Sequence, residues 1–168
     1  MKKWLIVLSL ITLSGCGFHL QNETQIPAQF QTMIFTSYDP FGELSREIKN
    51  LLMDNKVKLT VQNDKNPYPV LQVLTSNLNK NTISVYQDGK AAEYQLILTV
   101  NAQITLAGKD IYPLTVKVFR TFFDNPSTAL AKSTEQSLIE KEMHNQAAKQ
   151  LIAKLKTIDV VDQKSITK

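Results

Sequence analysis

The sequence predicts an α+β domain in which two helices pack on one face of a mostly antiparallel four-stranded sheet, in the order β-α-β-β-β-α. Three observations carry this. Apolar and polar residues alternate almost without a break from Ala92 to Leu106, tight-turn signals flank that run at Asp88-Gly89 and Gly108-Lys109, and two stretches carry apolar residues at helical spacing. Alternation of period two marks an antiparallel strand with one dry and one wet face. Two helices over the dry face are the economical cover.

Taken in order, residues 31–38, with Met33, Ile34, Phe35 and Thr36, read as the first strand, and Tyr38-Asp39-Pro40-Phe41-Gly42 ends it. Leu44, Ile48, Leu51 and Leu52 form one stripe of an amphipathic helix, with Asn55 as its left-handed stop. Asn63 to Pro69 reads as a loop. Residues 70–86 make a long strand whose phase slips. Leu71 and Val73 point one way, Leu74 and Leu78 the other, and Ile83 and Val85 return, so a bulge or bend is expected near Asn77–Asn81.

Asp88-Gly89 predicts a type I′ hairpin turn, with positive φ at both central positions. On the next strand Ala92, Tyr94, Leu96, Leu98, Val100, Ala102, Ile104 and Leu106 share a face. Glu93, Gln95, Thr99, Asn101, Gln103 and Thr105 lie opposite, with Ile97 the apolar intruder. Ile111 to Phe123 completes a meander that Asp124-Asn125-Pro126 closes. Ser133 with Gln136 predicts a capping box. Behind it Ile139, Met143, Ala147, Leu151 and Leu155 recur every four residues, widened by Leu138, Ala148 and Ile152.

The front of the chain has another logic. Met1-Lys2-Lys3 precedes a stretch from Trp4 to Leu13 broken only by Ser9 and Thr12, and Ser14, Gly15 and Cys16 follow. A basic start, a short apolar run and small residues make a secretory signal peptide. The run is too short for a bilayer core, which needs about 20 apolar residues. Leu13-Ser14-Gly15-Cys16 resembles the bacterial lipoprotein box, which implies cleavage before Cys16 and lipidation of Cys16. Several acyl chains hold a protein to a membrane where one is marginal. In that lipoprotein class an Asp after the cysteine favours the inner membrane, so Gly17 implies the outer one. The expected organisation is a signal peptide at 1–15 that is removed, a lipidated N-terminal segment at 16–30, a single α+β domain at 31–155 and a polar C-terminal tail at 156–168.

Cys16 is the single cysteine, so no internal disulfide is available. The formal charge of +4 falls to +2 without Lys2 and Lys3, too small to argue for nucleic acid. No catalytic set stands out. Ser14 and Ser133 have no base in a recognisable motif, and the five glycines form no phosphate loop. Glu140 and His144 stand four apart, a spacing that two metal ligands share, but a site needs three or four, and a solvated helix pair accounts for them. Neither a metal nor a cofactor is expected. The aromatic residues Tyr94, Tyr112, Phe119, Phe122 and Phe123 read mainly as core or cross-strand packing. A basic set on and after the meander, Lys80, Lys90, Lys109, Lys117, Arg120 and Lys132, reads as a solvated face. The Gln-, Asn- and Thr-rich wet face would suit the polar lumen of an outer-membrane barrel.

Several blocks in one order add a resemblance. Cys16-Gly-Phe-His-Leu20, Ala92-Glu-Tyr-Gln-Leu96, Thr99-Val-Asn-Ala102, Asp110-Ile-Tyr-Pro113, Lys117-Val-Phe-Arg-Thr-Phe-Phe-Asp-Asn-Pro126 and Ala129-Leu-Ala-Lys132 resemble the LptE family, lipopolysaccharide-assembly lipoproteins of the Gram-negative outer membrane. The resemblance implies two helices on a four-stranded sheet and a role without bond chemistry. That role is to plug the lumen of the β-barrel LptD, help assemble it, and bind lipopolysaccharide on its way to the outer leaflet. Lys and Arg meet lipid A phosphates with charge-assisted hydrogen bonds.

Lys132 matches the family's Ala-Leu-Ala-Lys block and carries over as a lipopolysaccharide-binding candidate. The position before the Asp88-Gly89 turn is basic in relatives but Gln87 here, a departure that Lys90 across the turn could offset. Lys117 and Arg120 extend the set. For the barrel contact the candidates are Tyr86, Asp88, Gly89 and Glu93 of the hairpin, and Phe119. The rival reading is a periplasmic lipid-carrier or transporter-auxiliary lipoprotein without a barrel partner.

Overall fold

The computed structural model describes residues 26–61, 68–106, 110–124 and 129–158. The signal peptide, Cys16, the Gly108-Lys109 turn, Asn125-Pro126 and the tail beyond 158 lie outside the described residues. Strands β1 (Thr32–Ser37), β2 (Lys58–Thr60), β3 (Val70–Val85), β4 (Ala91–Thr105) and β5 (Ile111–Phe123) join helices α1 (Glu43–Asp54) and α2 (Ala129–Lys156). The five strands form one sheet in the order β2-β1-β3-β4-β5.

The expected α+β architecture holds, with one strand more than the four expected. Lys58-Leu59-Thr60 pairs in parallel with Thr32–Ile34 at the sheet edge, a segment too short for periodicity to reveal. β1 also runs parallel to β3, whereas β3, β4 and β5 form the antiparallel meander.

Both ends of α1 are fixed by local chemistry. The Gly42 amide donates to Asp39 Oδ1 at 3.0 Å, and a Cβ on Gly42 would stand 2.2 Å from Asp39 Oδ2. A side chain at 42 would have to push the Asp39 carboxylate aside and break this bond. Ser45, 2% exposed, sets its hydroxyl against the Asp39 carbonyl and 2.8 Å from Ser37 Oγ. At the other end the Val57 amide bonds the Leu52 carbonyl and the Lys56 amide bonds the Met53 carbonyl, the paired closure of a Schellman motif. The left-handed residue is Lys56 (φ 62), one position beyond the expected Asn55. Asn55 instead stays at negative φ and donates its side-chain amide to the Leu51 carbonyl.

The helices cover one face only. Leu96, Leu98, Val100, Ala102 and Ile104 of β4, with Leu114, Val116 and Val118 of β5, are buried against Met143, Ala147, Leu151 and Leu155 of α2 and Ile48 and Leu52 of α1. Leu138, expected in the α2 stripe, is 58% exposed. The capping box is absent because Ala129, Leu130, Ala131 and Lys132, all good helix formers, start α2 before Ser133. The Ser133 carbonyl accepts from Ser137 Oγ, and Gln136 turns to Glu140 and Lys80.

The phase slip in β3 is real but placed elsewhere. Val73 faces Ala102 and Thr75 faces Asn101, so Leu74 bulges out, and a second irregularity falls at Thr82–Val85. Residues 77–81 pair regularly. After the first bulge Leu78 and Lys80 lie on the helix-covered face, opposite Leu98 and Leu96.

A lysine at positive φ is strained by about 1–2 kcal/mol, more than the entropy a glycine adds to the unfolded chain. Lys56→Gly is expected to raise stability by about 0.5–1 kcal/mol, read as a higher denaturation midpoint at unchanged slope. A lower midpoint would show that the Lys56 side chain contributes more than its backbone costs.

Candidate functional site

The uncovered face of the meander follows from the register. Gln72, Thr75, Asn77, Asn79 and Asn81 of β3 lie opposite Gln103, Asn101, Thr99, Ile97 and Gln95 of β4. Those residues face Pro113, Thr115, Lys117, Phe119 and Thr121 of β5. The surface is amide and hydroxyl, hydrogen-bonded across strands. Asn101 Nδ2 donates to Thr75 Oγ1 and Asn101 Oδ1 accepts from Thr115 Oγ1, each at 3.1 Å. Gln103 Nε2 donates to Gln72 Oε1 at 3.1 Å. Glu93, opposite Phe123, and Lys117, opposite Thr99, bring charge to this face. Ile97 stands directly opposite Phe119, which is 51% exposed, and Phe123 is 65% exposed. Two of the proposed partner contacts, Glu93 and Phe119, therefore share one surface.

The hairpin tip holds the other three. The Tyr86 amide donates to the Lys90 carbonyl and the Gly89 amide to the Tyr86 carbonyl. Gly89 (φ 81) is left-handed, whereas Gln87 and Asp88 are not. The loop is therefore a three-residue turn closed by a left-handed glycine, not the expected type I′ turn. Asp88 accepts from the Lys90 amide at 3.1 Å and its other oxygen lies 3.1 Å from Lys90 Nζ. Tyr86 donates its hydroxyl to the Asp124 carbonyl at 2.9 Å, which ties the hairpin to the end of β5. Gln87 is exposed on the tip.

The helix-covered side carries a second cluster, beyond the reach of α1. Tyr94 and Phe122 are cross-strand partners with rings 6.5 Å apart and nearly parallel at 16°. Lys80 Nζ stands 3.8 Å from the Tyr94 centroid and 5.6 Å from that of Phe122, and Lys132 Nζ is 5.4 Å from Phe122. Lys80 also donates to Gln136 Oε1 at 2.9 Å, and Lys132 pairs with Glu135 at 2.7 Å. Cations over aromatic faces within about 6 Å are attracted by the ring quadrupole.

The candidate cations thus separate. Lys117 points away from the helices, Lys90 is held at the tip by Asp88, and Arg120 turns to Gln146 of α2 and its own Phe119 carbonyl. Lys132 alone among the candidates sits on the aromatic pair. Lys80, which the sequence marked only as one of a basic set, is its neighbour there. Phe122 and Tyr94 are the cross-strand packing expected of them, whereas Phe119 and Phe123 are not core.

His144 turns from Glu140 towards α1, where its Nδ1 lies 3.4 Å from Glu43 Oε2 without hydrogen-bond geometry. Among the described residues no three of His, Cys, Asp and Glu gather as metal ligands.

Comparison with known proteins supplies the context. Residues 30–155 match the family LptE, described as lipopolysaccharide-assembly. The LPS-assembly lipoprotein LptE of Pectobacterium atrosepticum is 49% identical over 152 residues, 90% of this chain and 83% of that protein. Its counterpart in Yersinia pestis is 42% identical over 164 residues, 98% of this chain and 79% of its own. The crystal structure of the rare lipoprotein B from Shewanella oneidensis superposes with a TM-score of 0.68 at 37% identity, covering 74% of this chain and 92% of that one. A minor lipoprotein from Acinetobacter baumannii shares the fold at a TM-score of 0.63 and 22% identity, covering 76% and 91%.

Proposed function

Because the chain belongs to the LptE family of lipopolysaccharide-assembly lipoproteins, we propose that it plugs and helps assemble an outer-membrane β-barrel of the LptD type and binds lipopolysaccharide during its passage to the outer leaflet. Cys16 carries the lipid anchor in this reading, after removal of residues 1–15. The domain then faces the periplasm and the barrel lumen.

The observation that supports the plug is the neutral, amide-rich face of the meander. Charges withdrawn from water are expensive unless paired, whereas amides and hydroxyls can exchange water for new partners at small cost. A barrel lumen is polar, so a surface of Asn, Gln and Thr meets it with only Glu93 and Lys117 needing a charged partner or water. Ile97 and Phe119 in its centre are the apolar contact around which such a surface excludes water. Five strands about 4.8 Å apart make a body roughly 24 Å wide, which asks for a barrel of the large, plugged class rather than a small one.

The main cleft lined by described residues gives the carrier reading little support. The cleft of about 510 Å³ beside Arg120 is lined by Glu47, Lys141, Glu142, Asn145, Gln146 and Lys149 as well as Leu138, and an acyl chain requires an apolar wall.

Extraction of the membrane in detergent is expected to bring the protein out with one large barrel. A lone protein carrying phospholipid supports the carrier instead. Photocrosslinkers at Tyr86 and Phe119 are expected to trap that barrel, and silence from both positions tells against the plug. Lys132→Asp is expected to weaken lipopolysaccharide binding while the denaturation midpoint moves by no more than about 0.5 kcal/mol equivalent. Unchanged retention of lipopolysaccharide removes Lys132 from the site.

A further inference from the structure

Lys132 binds a phosphate poorly by itself, because a single flexible ammonium acts as a point charge. A second cation is needed, and the register supplies it. Lys80 of β3 and Lys132 of α2, 52 positions apart in the chain, bring their ammonium groups to within 5.6 and 5.4 Å of one ring centroid, that of Phe122. Phe122 is 3% exposed and stacked on Tyr94, so the shelf beneath them is fixed. Among the described candidates, Lys90 lies at the hairpin tip, Arg120 on Gln146 and Lys117 on the opposite face.

We propose that Lys80 and Lys132 together grip one lipid-linked phosphate monoester above the Tyr94–Phe122 shelf, with Lys80 the second cation of the site. This rests on the reading that Lys132 meets lipopolysaccharide. Lys132 faces the carboxylate of Glu135, itself half-exposed at 47%, and Lys80 faces the neutral amide of Gln136. An i,i+3 pair of that kind is weak, whereas a phosphate monoester carries a charge of about −1.5 to −2 and three acceptor oxygens. The phosphate therefore displaces Glu135 from Lys132 and Gln136 from Lys80. Both lysines swing on four-carbon stems, and the rings they leave offer an apolar floor to the acylated sugar. At the hairpin tip Gln87 carries no charge and Lys90 faces Asp88.

The test uses the mature lipoprotein in detergent and measures binding of lipid A with its phosphates, of the same lipid A stripped of them, and of inorganic phosphate. Lys80→Met keeps the stem on Tyr94 but removes the charge. It and Lys132→Met are each expected to weaken binding of phosphorylated lipid A about tenfold, with the double variant less than the product of the two. Lys80→Arg is expected to bind within about threefold of the parent. Stripped lipid A is expected to bind the parent and Lys80→Met alike, and inorganic phosphate far more weakly than lipid A.

If Lys80→Met binds as the parent does while Lys132→Met is impaired, Lys80 leaves the site and the reading of Lys132 stands. If neither variant matters, that reading falls as well. Equal loss for stripped and phosphorylated lipid, or no rescue by arginine, makes Lys80 a packing residue and overturns the grip. Inorganic phosphate binding as tightly as lipid A assigns the pair to a free anion and overturns the lipid-linked ligand.

Discussion

The period of a β-strand governs this molecule. Successive side chains point to opposite faces, and both helices lie against the same face of the sheet. Leu96, Leu98, Val100, Ala102 and Ile104 must all point one way, which sends Gln95, Ile97, Thr99, Asn101 and Gln103 the other. A slip of one residue would bury the amides and expose the core, so the register has no near alternative. Where β3 breaks its own alternation the backbone bulges at Leu74 instead of the core giving way. The helix-free face is thus relieved of any duty in folding. That freedom is what allows it to carry the Asn, Gln and Thr side chains that suit a polar enclosure.

Elements that run long enough to repeat were legible in the sequence. The alternation of β4 and the four-residue stripe of α2 could be read directly, because each repeats several times and each repeat has the same physical cause. β2 could not be read, since three residues paired at an edge show no period. The slip in β3 was visible, but its position was not, because a bulge is fixed by which residues of β4 stand opposite. Asp88-Gly89 promised a turn without specifying its type. A glycine at positive φ serves a type I′ turn or the last position of a three-residue loop equally well, and the bonds between Tyr86, Gly89 and Lys90 decide between them. Ser133 resembled a cap, but the helix-forming run Ala129–Lys132 before it carries α2 four residues further towards the N-terminus. Lys80 had no signal of its own. Its place beside Lys132 depends on three strands and a helix meeting at Phe122, which no sequence window contains.

The two faces of the meander divide the electrostatics. Lys117 and Arg120 are three residues apart on β5, yet the first lies on the helix-free face and the second reaches Gln146 on the helix side. One face is nearly neutral and hydrogen-bonded within itself. The other gathers ammonium groups over aromatic rings, where the ring quadrupole offsets part of their mutual repulsion. A partner that covers the neutral face leaves the cationic cluster uncovered. In the proposed reading, plugging and ligand binding therefore use opposite sides of the same strands and do not compete for surface.

The register also sets the long axis. β1 begins beside Val70, where β4 ends and β5 begins, so the chain enters the domain at the pole opposite the Tyr86–Lys90 tip. Along β3 that separation is roughly 50 Å at about 3.3 Å per residue. Nine residues lie between Cys16 and Ile26, ten Cα–Cα steps and so a tether of at most about 35 Å. A protein lipidated at Cys16 therefore keeps its entry pole within that reach of the leaflet, while the tip is free to stand well beyond it. Lys80 sits ten residues along β3 from the entry pole, about two-thirds of the way to the tip. An upright plug would hold the cationic cluster deep inside the lumen instead of at its periplasmic mouth, and a ligand would meet it only after entering the barrel.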